Sequence, residues 1–242
     1  MKVEILYREV CNLYADEFNA RLLEQSLPDA LFYSTELNDQ PRFVSEDVDL
    51  IYMGSMPEKV QEYVIDRLMP YRDRILQLIQ QGKVFLFTGN ALEVFGSYIE
   101  SEDGTRIKGL RIYEGYAARH MMERYNALFL GTIRDEADRE IRIVGFKNQF
   151  SHTYMDNDHC FAFQCLRGCG INPDSMKEGI RLRNFFGTYL VGPLLVLNPL
   201  FTKYLLRLAG VQNPHIAFEE EALDAYYARL KEFEDPKRKI LL

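Results

Sequence analysis

The chain has 242 residues, of which 47% are hydrophobic and 27% charged, and its formal net charge is −7. The acidic balance argues against a nucleic-acid-binding surface, because phosphate backbones require clustered lysine and arginine. The chain has no run of about 18 apolar residues, so no membrane span is predicted. Its first residues are acidic and include no apolar core, so no signal peptide is predicted. We therefore expect a cytoplasmic globular protein whose four cysteines are free thiols.

Strand and helix patterns alternate through the first part of the chain. Short apolar runs predict strands at residues 3–7, 31–33, 49–53 and 83–87. Apolar residues at helical spacing predict helices over 16–25 and 57–81, the second one divided by Pro70. Such alternation is typical of an α/β fold, in which a mainly parallel sheet carries helices on both faces.

The pattern changes in the second half of the chain. Residues 109–163 contain short β-rich runs between polar turns, so we expect an added β-rich segment there. The last residues predict a charged amphipathic helix. We therefore predict a main domain over residues 1–210 and a C-terminal helical tail over 211–242, which packs on this domain or extends from it.

Residues 84–96 predict a strand, a sharp turn and a helix in direct succession. The apolar run ends at Thr88-Gly89-Asn90, and Gly96 closes the helical pattern. In nucleophilic enzymes, a turn of this kind projects one side chain from its apex, beside backbone N–H groups that hold an oxyanion. The apex here is Gly89, so the segment has the form of a catalytic elbow without a nucleophile.

Motifs along the chain resemble the class I glutamine amidotransferases of the CobB/CobQ-like type, in particular the GatD branch. Residues 11–14, Cys-Asn-Leu-Tyr, are similar to the family's Leu-Asn-Leu-Tyr, and residues 49–55 to its strand that ends in a run of glycines. Residues 103–110 and 144–148 resemble two further family motifs. The most similar stretch is residues 178–193, where the family reads Glu-Gly-x-x-x-x-Asn-x-x-Gly-Thr-Tyr-x-His-Gly-Pro.

This resemblance implies a flavodoxin-like class I amidotransferase sandwich with the added β-rich segment. GatD proteins are glutaminase subunits that work with a Mur-ligase-like subunit, MurT, to amidate the D-glutamate of lipid II. The resemblance therefore implies a Mur-ligase-like protein partner, a glutamine or glutamate-like ligand, and no cofactor. It links the chain to peptidoglycan or cobalamin biosynthesis.

Two positions depart from the family at its catalytic pair. The family's cysteine position is Gly89, and its histidine position is Val191. In the family, the thiolate attacks the side-chain amide of glutamine while the histidine activates it and protonates the leaving ammonia. Glycine offers no nucleophile and valine transfers no proton. We therefore expect a catalytically inactive chain that acts as a non-catalytic or regulatory subunit.

Some binding features of the family are retained. Arg124 matches an arginine that holds substrate in the GatD branch, and a guanidinium can bind a carboxylate with two hydrogen bonds. Gly54, Ser55 and Asn90 are expected to supply backbone N–H groups around the former oxyanion position. The alternative interpretation of these four positions is a surface arginine and ordinary turn residues.

Other chemistries remain open. The same pocket could serve a different reaction through Arg124 with Asn90, Glu93 or His152, or it could bind an amino acid or a peptidoglycan fragment. A metal is not expected, because the spacing Cys-x4-Cys-x3-Cys is unlike a zinc knuckle. A migrated nucleophile beside His152 or His159 would come from Cys160, Cys165 or Cys169. We otherwise expect His120 and His152 to lie in exposed loops.

Overall fold

The computed structural model describes residues 1–155 and 160–240. His159 lies outside the described residues. In the described part of the chain, the strands are β1 (Lys2–Leu6), β2 (Leu31–Thr35), β3 (Leu50–Met53), β4 (Val84–Thr88), β5 (Tyr98–Glu100), β6 (Arg106–Lys108), β7 (Tyr116–Arg119), β8 (Tyr125–Arg134), β9 (Glu140–Gln149), β10 (Ser151–Tyr154), β11 (Phe163–Arg167), β12 (Lys177–Glu178), β13 (Ile180–Leu182), β14 (Phe185–Thr188) and β15 (Leu190–Val191). The α-helices are α1 (Glu17–Ser26), α2 (Glu58–Leu68), α3 (Arg72–Gln80), α4 (Leu194–Leu197), α5 (Pro199–Leu208) and α6 (Glu219–Glu234).

The central layer is a six-stranded sheet in the order β13-β14-β4-β3-β1-β2. All its pairings are parallel except that of β13 with β14. All five residues of β4 are buried, because the strand lies between two parallel neighbours and is covered on both faces. A continuous apolar run is typical of a strand in this position.

Helices cover both faces of this sheet, as the sequence predicts. On one face, α2 and α3 pack through Val64 and Ile75 in a cluster that includes Phe85. On the other face, α1 and α5 contribute Leu23 and Phe201 to a second cluster. The long predicted helix is divided at Pro70, where a 3₁₀ turn over Met69–Tyr71 separates α2 from α3.

The added β-rich segment contributes to two further sheets, which extend beyond its predicted bounds because they also include β5 and β6 before it and β12 and β15 after it. One has five antiparallel strands in the order β12-β11-β8-β9-β15, and the other has four strands in the order β10-β7-β5-β6. The chain passes from the central sheet to the five-stranded sheet within a few residues, because β14 ends at Thr188 and β15 begins at Leu190. This crossing places Val191 beside the carboxyl end of β4.

The C-terminal helix packs on the five-stranded sheet. Tyr226 and Phe233 of α6 form a cluster with Leu130 and Val144 of that sheet. After α6 the chain returns to β8, where the N–H of Leu128 donates to the carbonyl oxygen of residue 240 at 2.8 Å. Among the helices that the structure describes, none is long and apolar enough to cross a membrane.

Candidate functional site

The elbow at the end of β4 is formed as the sequence predicts, except that a 3₁₀ helix over Gly89–Phe95 follows the strand instead of an α-helix. Gly89 has φ of +60°, a left-handed conformation that glycine adopts without strain. A Cβ atom placed on Gly89 would lie 3.1 Å from Cγ1 of Val191. The structure therefore brings together the two positions that were singled out from separate parts of the sequence.

Ser55 fills the space in front of the apex. A Cβ atom on Gly89 would lie 2.5 Å from Cβ of Ser55 and 3.3 Å from its hydroxyl oxygen. Both the N–H and the hydroxyl of Ser55 donate to Oδ2 of Asp16 at 2.7 Å. The N–H of Ser55, expected at the former oxyanion position, is thus bound to a buried carboxylate.

Asp16 connects three elements beneath this site. It precedes α1, is fully buried, and accepts from the hydroxyl of Thr88, the last residue of β4, at 2.9 Å. Its second oxygen lies 3.2 Å from Nδ2 of Asn19 on α1. Burial raises the pKa of Asp16 to about 6, although hydrogen bonds from Ser55, Thr88 and Tyr52 favour the charged form.

Gly54 and Asn90 have structural contacts on either side of Ser55. A Cβ atom on Gly54 would lie 2.4 Å from the carbonyl oxygen of Cys11, so only glycine fits there. The side-chain amide of Asn90 binds the backbone of Met56, accepting from its N–H at 3.0 Å and donating to its carbonyl at 2.8 Å. The side chain of Asn90 is therefore occupied by the loop that follows β3.

Glu93 is the centre of a second buried network behind the elbow. Its carboxylate accepts from the amide of Gln61 at 2.8 Å and from the hydroxyl of Tyr189 at 3.0 Å. Gln61 in turn accepts from Arg119 at 2.8 Å, and Tyr189 lies 2.8 Å from the hydroxyl of Thr153. Burial raises the pKa of Glu93, while the hydrogen bonds from Gln61 and Tyr189 oppose this effect.

The cavity between these networks is small. It has a volume of about 30 Å³, which is room for about two ordered water molecules. Pockets for small ligands measure roughly 300–1,000 Å³. The enclosed space is therefore narrow in this conformation. The cavity is lined by Leu13, Tyr14, Ser55, Met56, Glu58, Gly89, Asn90, Glu93, Gln149, Phe150, Ser151 and Tyr189.

Comparison with known proteins identifies the family. A sequence model described as the CobB/CobQ-like glutamine amidotransferase domain matches residues 2–198. The chain belongs to this family. The GatD subunit of lipid II isoglutaminyl synthase (glutamine-hydrolyzing) from Staphylococcus aureus is 29% identical over 215 residues, which cover 88% of this chain and 85% of the relative. The corresponding subunit from Streptococcus pneumoniae is 26% identical over 203 residues, covering 82% and 76%.

Solved structures confirm the class I amidotransferase fold. PurLQS from Thermotoga maritima superposes with a TM-score of 0.55 at 11% identity, covering 95% of this chain and 98% of its own. A second glutamine amidotransferase structure gives a TM-score of 0.53 at 13% identity, with coverage of 86% and 99%. At these identities the likeness concerns the fold alone.

Arg124, the arginine carried over from the GatD branch, lies outside the cavity lining. It is exposed, and its guanidinium carbon lies 4.2 Å from the ring centroid of Phe150. Phe150 itself lines the cavity. The structure thus places Arg124 one side chain away from the cavity, and its binding of a carboxylate stays a prediction.

The expectation that His152 lies in an exposed loop is wrong. His152 is 2% exposed in β10, which pairs with β7. Its Nδ1 lies 3.3 Å from Nε2 of Gln149, and its ring contacts His120 and Tyr125. Burial, with smaller effects of His120 and Lys147, lowers the pKa of His152 to about 4. His120 follows β7 and is half-buried, so it is not fully exposed either.

Cys165 and Cys169 lack the surroundings of reactive thiols. Cys165 is buried and Cys169 half-buried, and burial raises the pKa of Cys165 to about 12 and also that of Cys169. A nucleophilic cysteine needs the opposite shift, toward the thiolate. Among the described residues, no group of three or more histidine, cysteine or acidic side chains could hold a metal ion.

Proposed function

We propose that this chain is a catalytically inactive GatD-like amidotransferase that serves as a non-catalytic or regulatory subunit of a Mur-ligase-like partner in cell-wall lipid II amidation. The contact between positions 89 and 191 carries this proposal, because the family's nucleophile and base would stand there. The relatives support the subunit role, since both are named as the GatD subunit of lipid II isoglutaminyl synthase. The free cysteines are consistent with a cytoplasmic location.

The chemistry of glutamine hydrolysis needs a nucleophile and a proton acceptor within hydrogen-bond reach of each other. Glycine and valine supply neither. In catalytic units of this kind, the loss of one member already costs several orders of magnitude in rate. The cavity beside the elbow is also narrow.

The partner role is tested with a Mur-ligase-like protein from the same organism. We expect the two purified proteins to form a complex in size-exclusion chromatography. We further expect the complex to amidate its substrate with ammonium as the nitrogen source but not with glutamine. The GatD subunit from Staphylococcus aureus with its own ligase partner is the positive control. Amidation supported by glutamine, or the absence of any complex, would contradict the proposal.

The two alternatives from the sequence are less well supported. A cavity of about 30 Å³ gives an amino-acid-binding role little support. A different reaction through Glu93 or His152 would require an accessible group, and these side chains are 1% and 2% exposed. Isothermal titration with glutamine and glutamate distinguishes the binding role, because we expect no heat of binding to the isolated protein.

A further inference from the structure

Position 55 carries a side chain where the family's strand ends in a run of glycines. This side chain and a side chain at position 89 exclude each other, because their Cβ atoms would be 2.5 Å apart. Non-bonded carbon atoms pack at about 3.5–4.0 Å. The absence of a side chain at position 89 and the presence of one at position 55 are therefore coupled features.

Ser55 is held firmly in this place. It is 2% exposed, and its N–H and hydroxyl both bind the same oxygen of Asp16. That oxygen also accepts from Thr88. Rotating the hydroxyl away would remove one of three donors to this buried oxygen. It would not move Cβ of Ser55, the atom that meets a side chain at position 89.

We infer that the side chain of Ser55 takes the place of the family's nucleophile and closes the site against ligands. Inactivity then depends on three positions. Gly89 and Val191 remove the family's catalytic pair, and Ser55 fills the space that the nucleophile would occupy. A cysteine introduced at position 89 would overlap with the side chain of Ser55. This inference rests on the proposed function, since it explains how the former amidotransferase site is kept shut.

A set of variants tests this exclusion. G89C, S55G and G89C/S55G are compared with G89C/S45G, in which an exposed serine is changed in the same way. We expect G89C to lower the Tm by about 4–8 °C through overpacking. The loss in the double variant G89C/S55G should be smaller than the sum of the two single losses. The strain of a side chain at φ of +60° is common to both backgrounds and cancels in this cycle.

Accessibility of the thiol introduced by G89C is the second measurement. Its alkylation by iodoacetamide is followed in the folded proteins by peptide mass spectrometry. We expect it to be at least about tenfold faster in G89C/S55G than in G89C/S45G. If G89C does not fold, G89A and G89A/S55G replace the pair in the Tm cycle, because a Cβ atom alone already meets Ser55.

Additive losses of Tm together with equal alkylation rates would overturn the inference. Covalent labelling of Ser55 by a fluorophosphonate in the unchanged protein would overturn it as well, since Ser55 would then be a nucleophile. Neither result depends on glutamine. Ammonia release from glutamine by the unchanged protein would instead overturn the proposed function, whatever the variants show.

Discussion

Asp16 is the residue on which the geometry of the closed site most depends. Its carboxylate binds Ser55 at the end of β3 and Thr88 at the end of β4, and it lies at the start of α1. A single buried acid thus fixes both the loop that carries Ser55 and the strand that leads into the elbow. Its raised pKa makes this arrangement sensitive to pH.

The pH dependence of stability follows from the sign of that shift. The pKa of Asp16 in the folded state, about 6, lies above its ordinary value of 3.8, so the native state binds the proton more tightly than the unfolded chain. The contribution of this group is therefore largest below about pH 4 and is lost as the pH rises to about 6. Between pH 4 and pH 6 we expect the unfolding free energy of the native chain to fall by roughly 2 kcal/mol relative to D16N.

Urea denaturation at several pH values measures this difference. The variant D29N, which neutralises an exposed aspartate, is the control and should run parallel to the native chain. Glu4 and Glu93, whose pKa values are also raised by burial, act equally in all three proteins. A difference between the native chain and D16N that stays constant from pH 4 to pH 6 would contradict the assignment.

At the scale of elements, a buried ion pair holds the turn between β14 and β15. The ammonium group of Lys147 on β9 lies 2.6 Å from the carboxylate of Glu178 on β12, and both side chains are fully buried. The other carboxylate oxygen accepts from the hydroxyl of Thr188 at 2.9 Å and from the N–H of Tyr189 at 2.8 Å. The pair therefore positions the segment that carries Val191 toward the elbow.

Breaking this ion pair should strongly destabilise the folded protein. We expect K147M to lower the free energy of unfolding by about 3–5 kcal/mol, because Glu178 would remain as an unpaired buried charge. The added change in K147M/E178Q should recover part of the loss. In the exposed pair of Arg106 with Glu100, R106A should cost at most about 1 kcal/mol. Urea unfolding measures all three variants, and a K147M loss as small as that of R106A would refute this role.

The sequence predicts this architecture best where the structure of an element follows from its own residues. The continuous apolar run of β4 and the glycine at its apex are local features, and the structure confirms the elbow they predict. The position of Ser55 against Gly89 depends on how the ends of β3 and β4 meet, which no local pattern records. The burial of His152 is not predicted for the same reason, since it results from the pairing of β10 with β7.

For the whole molecule, the C-terminal segment closes the five-stranded sheet. Arg167 on β11 donates to the carbonyl oxygens of Phe233, Asp235 and Arg238, the second and third at 2.7 and 2.9 Å. One side chain thus ties the end of α6 and the following residues to the sheet. The predicted division between residues 1–210 and 211–242 stays a prediction, although α6 packs directly on the main domain.

Replacing Arg167 should weaken the packing of the residues after α6 on the sheet without unfolding the rest of the protein. In R167A, we expect the Leu128 amide, which donates to residue 240, to exchange with deuterium at least about tenfold faster. The K231A variant, which changes an exposed residue of α6, is the control. Hydrogen–deuterium exchange monitored by mass spectrometry gives the rates. Unchanged exchange at Leu128 in R167A would show that Arg167 does not hold the tail.

Ammonia release from glutamine tests the central claim most directly. The purified protein is assayed alone and together with the proposed Mur-ligase-like partner, with the GatD subunit from Staphylococcus aureus as the positive control. We expect release at the level of a blank without protein in both cases, because positions 89 and 191 hold glycine and valine. Clear turnover would contradict the claim. It would require another nucleophile, which alanine replacement of Cys160, Cys165 and Cys169 would then identify.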